Sequence, residues 1–136
     1  MVLGGAVTCL SALADDYWAP PTSSLHVRFG AHTRRTSRSG SHVQSHTLHR
    51  NAGVPRRDTD PVPVALAAAL QCTTTPQWIA IADSVLNRGW PPDDLTLALL
   101  QVAPDHQDRV RRLMSRTNPL SQSGSESLLR VNLLRR

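Results

Sequence analysis

Ser24-Leu25-His26-Val27-Arg28-Phe29 alternates apolar and polar side chains. Successive Cβ atoms of a strand point to opposite faces, so this period predicts a half-buried strand with Leu25, Val27 and Phe29 inward and His26 and Arg28 outward. Gly30 closes it. A second β-rich stretch, His42-Val43-Gln44-Ser45-His46-Thr47-Leu48-His49, is predicted to lie beside the first. Two short neighbouring strands imply a small sheet, expected to be antiparallel.

Upstream, Gly4-Gly5 leads into Ala6-Val7-Thr8-Cys9-Leu10-Ser11-Ala12-Leu13-Ala14, read as a short helix with Thr8 as N-cap and small residues that allow another backbone to approach. Pro20-Pro21 forbids its continuation, and Trp18 is expected to fold back as a hydrophobic plug. Downstream, the character changes at Pro61. Val62, Val64, Leu66, Ala67, Ala69 and Leu70 predict a short apolar strand or bend and then a helix, with Asp60 or Pro61 marking the start and Cys72 near the end. Thr75-Pro76 opens the strongest helix signal, running through Trp78, Ile79, Ile81, Ala82, Val85 and Leu86 to Gly89. Pro91-Pro92-Asp93-Asp94 starts another, with carboxylates suited to a helix N-terminus. Residues 105–116 set Arg109, Arg111, Arg112 and Arg116 against Val110, Leu113 and Met114, a basic amphipathic helix whose charged face is expected to be solvated, with phosphate contact as the alternative. Ser125 and Glu126 begin a last amphipathic helix. The expected fold class is α+β: a small antiparallel sheet packed against helices over residues 1–90, then a helical extension over residues 91–136.

All 15 basic side chains are arginine, and the formal charge is +5. Seven of them (Arg28, Arg34, Arg35, Arg38, Arg50, Arg56 and Arg57) fall between Tyr17 and the next acid, Asp58. That concentration can grip phosphates without reading bases, which makes DNA a candidate partner. One Tyr, one Phe and three Trp are too few for a stacking platform, which excludes the usual single-strand binding mode.

Cys9 and Cys72 read as isolated thiols, too few for a disulfide framework or a zinc site, and so as buried cysteines of a reducing, cytoplasmic compartment. The apolar run at residues 2–14 lacks the positive flank of a signal peptide, and no segment has the length of a membrane span. His42, His46 and His49 invite a metal, but alternation splits them between two faces, and ordinary strand histidines are expected. Asp83 is expected at the edge of a buried stripe, bonded to an arginine or a backbone donor. No cofactor is expected.

Several blocks together resemble bacterial proteins in which an AbiEi-type antitoxin-like domain precedes a Vsr-like endonuclease domain of the PD-(D/E)xK class. They are Gly4-Gly5-x-x-Thr8-Cys9-x-Ser11-Ala12-Leu13 with Trp18, then Leu25-His26-Val27, His46-Thr47-Leu48-His49 and Ala65-Leu66. Ile81-Ala82-Asp83-Ser84-Val85-Leu86-Asn87-Arg88-Gly89 and Ser123-Gly124-Ser125-Glu126-Ser127-x-x-Arg130 complete the set. The resemblance implies an antitoxin-like, non-catalytic regulatory or interaction protein that binds DNA or a protein partner. Glu126 matches the nuclease helix, but the family's metal-holding Asp and Glu would follow Arg136. One carboxylate does not assemble a Mg²⁺ shell, so Mg²⁺ enters only under the alternative of a split or degenerate endonuclease. A non-functional remnant is the further alternative.

Overall fold

A computed structural model describes residues 5–29, 42–55 and 58–118. In chain order it holds β1 (Ala6–Val7), α1 (Cys9–Leu13), β2 (Leu25–Arg28), β3 (Val43–His46), α2 (Val62–Ala69), α3 (Thr75–Asn87), α4 (Pro92–Val102) and α5 (Gln107–Met114), with 3₁₀ turns at Arg50–Ala52 and Pro104–His106. This is the expected α+β class, with a helical C-terminal part.

The sheet order is β1-β2-β3. β1 runs antiparallel to β2, with Ala6 opposite Arg28 and Val7 opposite Val27. β3 runs parallel to β2, pairing His26 with Gln44 and Arg28 with His46, so the sheet is mixed. Parallel neighbours need a crossover of about a dozen residues or more, and residues 29–42 provide that length. Gly5 sits where β1 meets β2. A Cβ there would lie 2.3 Å from the Arg28 carbonyl oxygen, so only glycine lets the two backbones approach this closely.

Beyond β1, the chain at residues 58–60 adds a further edge: Val7 N–H donates to the Asp58 carbonyl at 2.7 Å, and Asp60 N–H donates to the Val7 carbonyl at 2.8 Å. Both faces of β2 are covered, and on the His26 and Arg28 face the cover comes from Cys72, Gly53 and Asp60. Val27 and Phe29 are buried as the alternation predicts, but His26 and Arg28 are buried too, and Leu25 is 38% exposed. The outward placement of His26 and Arg28 is corrected by this second cover, which a two-residue period does not reveal.

α2 is the central helix. Val64 to Ala69 are buried without interruption, as befits a helix surrounded by protein, and its four alanines let neighbours come close. α3 is locally the best specified: Thr74 accepts from Gln77 N–H while the Gln77 side chain accepts from Thr74 N–H, a complete capping box followed by Pro76. Trp78 of α3 is fully buried, and its indole N–H donates to the Leu66 carbonyl at 2.9 Å. Truncating it to alanine would cost about 3–5 kcal/mol. Leu95 and Leu99 of α4, with Val110, Leu113 and Met114 of α5, join the same buried cluster as α1, α2 and α3. Trp18 packs against that cluster, and its N–H donates to Ser84 Oγ at 2.8 Å. Asp83 is buried and accepts from the backbone N–H of Asn118. No helix of the described residues is long and apolar enough to cross a membrane.

Candidate metal centre

Four side chains from four separate segments converge between the sheet and the helices: Cys9, His26, His46 and Cys72. One ligand atom of each lies within 4.8 Å of all the others. The cysteines read as isolated are in fact adjacent, since their 63 residues of separation end with the two Sγ atoms 2.7 Å apart. His26 Nδ1 lies 2.9 Å from His46 Nε2, and Cys72 Sγ lies 3.9 Å from His26 Nδ1.

Local structure places each of them. Cys9 opens α1 with φ +54°, a left-handed conformation that costs a non-glycine residue energy and persists where its surroundings fix it. Those surroundings are β2: Thr8 N–H donates to the His26 carbonyl at 2.9 Å, and His26 N–H donates to Ser11 Oγ at 2.9 Å. The start of α1 is therefore stitched to the strand at His26 itself. His26 and His46 share one face of the sheet through the β2–β3 register, their rings 5.1 Å apart. Cys72 follows α2 in a tightened turn in which the N–H groups of Leu70, Gln71 and Cys72 each donate three residues back.

The same turn supplies an orienting partner. Gln71 Nε2 donates to the Thr47 carbonyl at 2.8 Å, which leaves Gln71 Oε1 facing His46 Nδ1, also at 2.8 Å. An amide oxygen only accepts, so His46 carries its proton on Nδ1 and turns a bare Nε2 lone pair into the cluster. His26 Nε2 lies 3.2 Å from Thr22 Oγ1. Each imidazole thus has an outer hydrogen-bonding partner that fixes its ring and an inner nitrogen aimed at the sulfurs, the arrangement metal-bound histidines adopt.

The two thiols are hydrogen-bonded to each other. The hydrogen bond from Cys9 holds Cys72 well below the ordinary thiol range; partial burial opposes this, and the two histidines reinforce it. The same hydrogen bond, with burial, pushes Cys9 far above that range. Cys72 is therefore the more acidic of the two thiols, and the thiolate is the form that binds metals. Tetrahedral zinc, with Zn–S about 2.3 Å and Zn–N about 2.0–2.1 Å, sets sulfurs about 3.8 Å and nitrogens about 3.3 Å apart. The nitrogens stand close to that spacing. The sulfurs must open by about 1 Å, a movement available to Cys72, which is only partly buried and sits on a turn.

Two residues further along β2 lies a second buried polar assembly. Arg28 meets Asp60 in a two-pronged ion pair, Nε to Oδ2 at 2.6 Å and Nη2 to Oδ1 at 2.9 Å, and Nη1 donates to the Gly53 carbonyl at 2.6 Å. Its guanidinium is spent internally and does not face DNA, which removes it from the expected DNA-contacting set. Arg50 is exposed, whereas Arg34, Arg35, Arg38, Arg56, Arg57 and Glu126 lie outside the described residues. Of the three histidines weighed for a metal, His42 is exposed, His46 is buried in the cluster, and His49 stands apart, accepting from Asn51 N–H at 3.1 Å. Sequence reasoning missed Cys9, His26 and Cys72 because no short spacing links them. The one usable signal was that both cysteines sit in apolar helical segments and a histidine alternates with apolar residues in β2. Comparison with protein-family models, curated proteins and solved structures gave no match to this chain.

Proposed function

We propose that this protein is a non-catalytic, zinc-binding domain in which Cys9, His26, His46 and Cys72 hold one Zn²⁺ that clamps α1, β2, β3 and the end of α2 together. The observation that carries this reading is the convergence of two sulfurs and two inward imidazole nitrogens, each imidazole braced from behind by Thr22 or Gln71. Two sulfur and two nitrogen ligands match zinc chemistry, and four protein ligands leave no open position for substrate, which makes the role structural. A domain held in this way serves as a regulatory or interaction module of the antitoxin-like kind. Its net charge of +5 supports contact with a DNA backbone through Arg50 and the arginines at 34, 35, 38, 56 and 57.

The test is elemental analysis of the purified chain, followed by exchange of the metal for Co²⁺. The expected results are one zinc per chain and the visible bands of tetrahedral Co²⁺ with thiolate charge transfer. Protein that is folded, reduced and free of metal after refolding with zinc would sink the proposal.

A further inference from the structure

A cleft of about 490 Å³ opens between the start of α3 and the outer side of α5, lined by Thr75, Arg109, Arg112, Leu113, Ser115 and Arg116. Among the described residues, half of that lining is arginine and none of it is acidic. Such a concentration normally recruits carboxylates, and the sequence offers them: Asp105 and Asp108 stand four residues before Arg109 and Arg112, the favourable order for helical ion pairs. Neither pair forms among the described residues, and Asp105 Oδ1 instead lies 3.9 Å from His49 Nε2. Arg109 and Arg112 line the cleft instead, one partly buried and one exposed.

From this we infer that the α3–α5 cleft is a phosphate-binding site, in which Arg109 and Arg112 fork the oxyanion and Arg116, Thr75 and Ser115 line its remaining wall. Guanidinium groups match tetrahedral oxyanions with paired N–H donors, and hydroxyls complete such sites as neutral donors. The volume falls within the ~300–1,000 Å³ of small-ligand sites, so the cleft admits a phosphate that carries a substituent. The same chemistry arrives either as a free phosphate or as one phosphate of a nucleic-acid backbone. None of these lining residues belongs to the zinc centre.

The full chain, loaded with zinc, is titrated with inorganic phosphate while the arginine Nε–H resonances are followed by NMR, and with a short labelled DNA duplex at low salt by fluorescence anisotropy. Saturable shifts of Arg109 and Arg112 are expected. R109Q/R112Q should weaken the ligand that binds by about tenfold or more, because two charge-assisted contacts are lost. The charge-matched control R88Q/R111Q alters two exposed arginines outside the cleft and should change affinity by less than about twofold. Binding of phosphate alone assigns the cleft to free phosphates. Duplex binding that is lost in R109Q/R112Q assigns it to a nucleic-acid backbone. Should the glutamine variant fail to fold, R109K/R112K, which keeps the charges and loses the forks, is expected to bind several-fold more weakly than the parent. No saturation by either ligand, or equal losses in the cleft and control variants, overturns the inference. Duplex binding that is lost in R34Q/R35Q/R38Q and kept in R109Q/R112Q overturns it as well, and leaves the upstream arginines as the DNA contact.

Discussion

β2 carries two buried polar assemblies on one face, and they differ in one respect. The Arg28–Asp60 pair is complete: opposite charges meet through two hydrogen bonds, and the third guanidinium nitrogen reaches the Gly53 carbonyl. At the Cys9, His26, His46 and Cys72 cluster, four metal-ligand atoms converge, and they are bonded to one another in pairs: sulfur to sulfur, and His26 Nδ1–H to His46 Nε2. Buried polar groups are tolerated when they are hydrogen-bonded, and both assemblies meet that condition. The first assembly is closed by opposite charges, whereas the second brings together the ligand atoms of the zinc site proposed above.

Removing the metal should produce the largest effect. Chelation, or Cys9→Ser combined with Cys72→Ser, is expected to lower the thermal midpoint strongly, since zinc at 100 times its dissociation constant already contributes about 2.7 kcal/mol. Calorimetry with and without EDTA measures this, and an unchanged midpoint would contradict a structural metal. Breaking the ion pair comes close behind. Arg28→Ala strands the buried Asp60 carboxylate and should cost about 3–5 kcal/mol in urea unfolding, with metal content unchanged. R28M/D60L, which removes both charges, should recover most of that loss; a double variant as unstable as the single would contradict the self-contained reading of this pair.

A smaller effect separates the two assemblies more sharply. Gln71→Ala leaves all four ligands in place but frees the His46 ring, so metal affinity should fall by about 10–100-fold in competition with a chromophoric chelator. Stability of the metal-free protein should hardly change, as Gln71 lies exposed on its turn.

The smallest effect is one of pH, in the reduced, metal-free protein. Cys72 is depressed below the ordinary thiol value of 9.0, so its contribution to stability is complete above that value and is lost as pH falls toward the folded-state value. Cys9 is raised, so it penalises the folded state only above 9.0. Relative to Cys72→Ser, the parent should therefore gain urea resistance from about pH 5 to about pH 8 and level off near 9. Parallel curves for the two proteins would show that no thiolate is present.

How much of this was legible in the sequence depends on how local the cause is. α3 was readable because its capping residues, its proline and its apolar stripe all lie within fifteen residues, and only the N-cap moved, from Thr75 to Thr74. The inward side of β2 was readable in Val27 and Phe29. The burial of His26 and Arg28 was not, because it comes from residues 58–60 and from the turn after α2, whose docking leaves no periodic mark on the strand. The parallel pairing of β3 was equally hidden, because alternation specifies a face and not a direction. The cluster itself is the extreme case. His26 and His46 are 20 residues apart and the cysteines 63, so every ligand sits in a segment whose own pattern is explained without it.

The parallel crossover between β2 and β3 also sets the order of events at the ribosome. Zinc fingers gather their ligands within one short segment and can capture the ion as soon as that segment emerges. Here no tetradentate site exists until Cys72 has been synthesised and α2 has docked on a sheet that already includes β3. Closing such long loops is slow compared with forming local helices. Capture of the proposed zinc by the nascent chain would therefore mark the end of assembly and could not start it, and a chain stalled before residue 72 should leave the cell's zinc pool untouched.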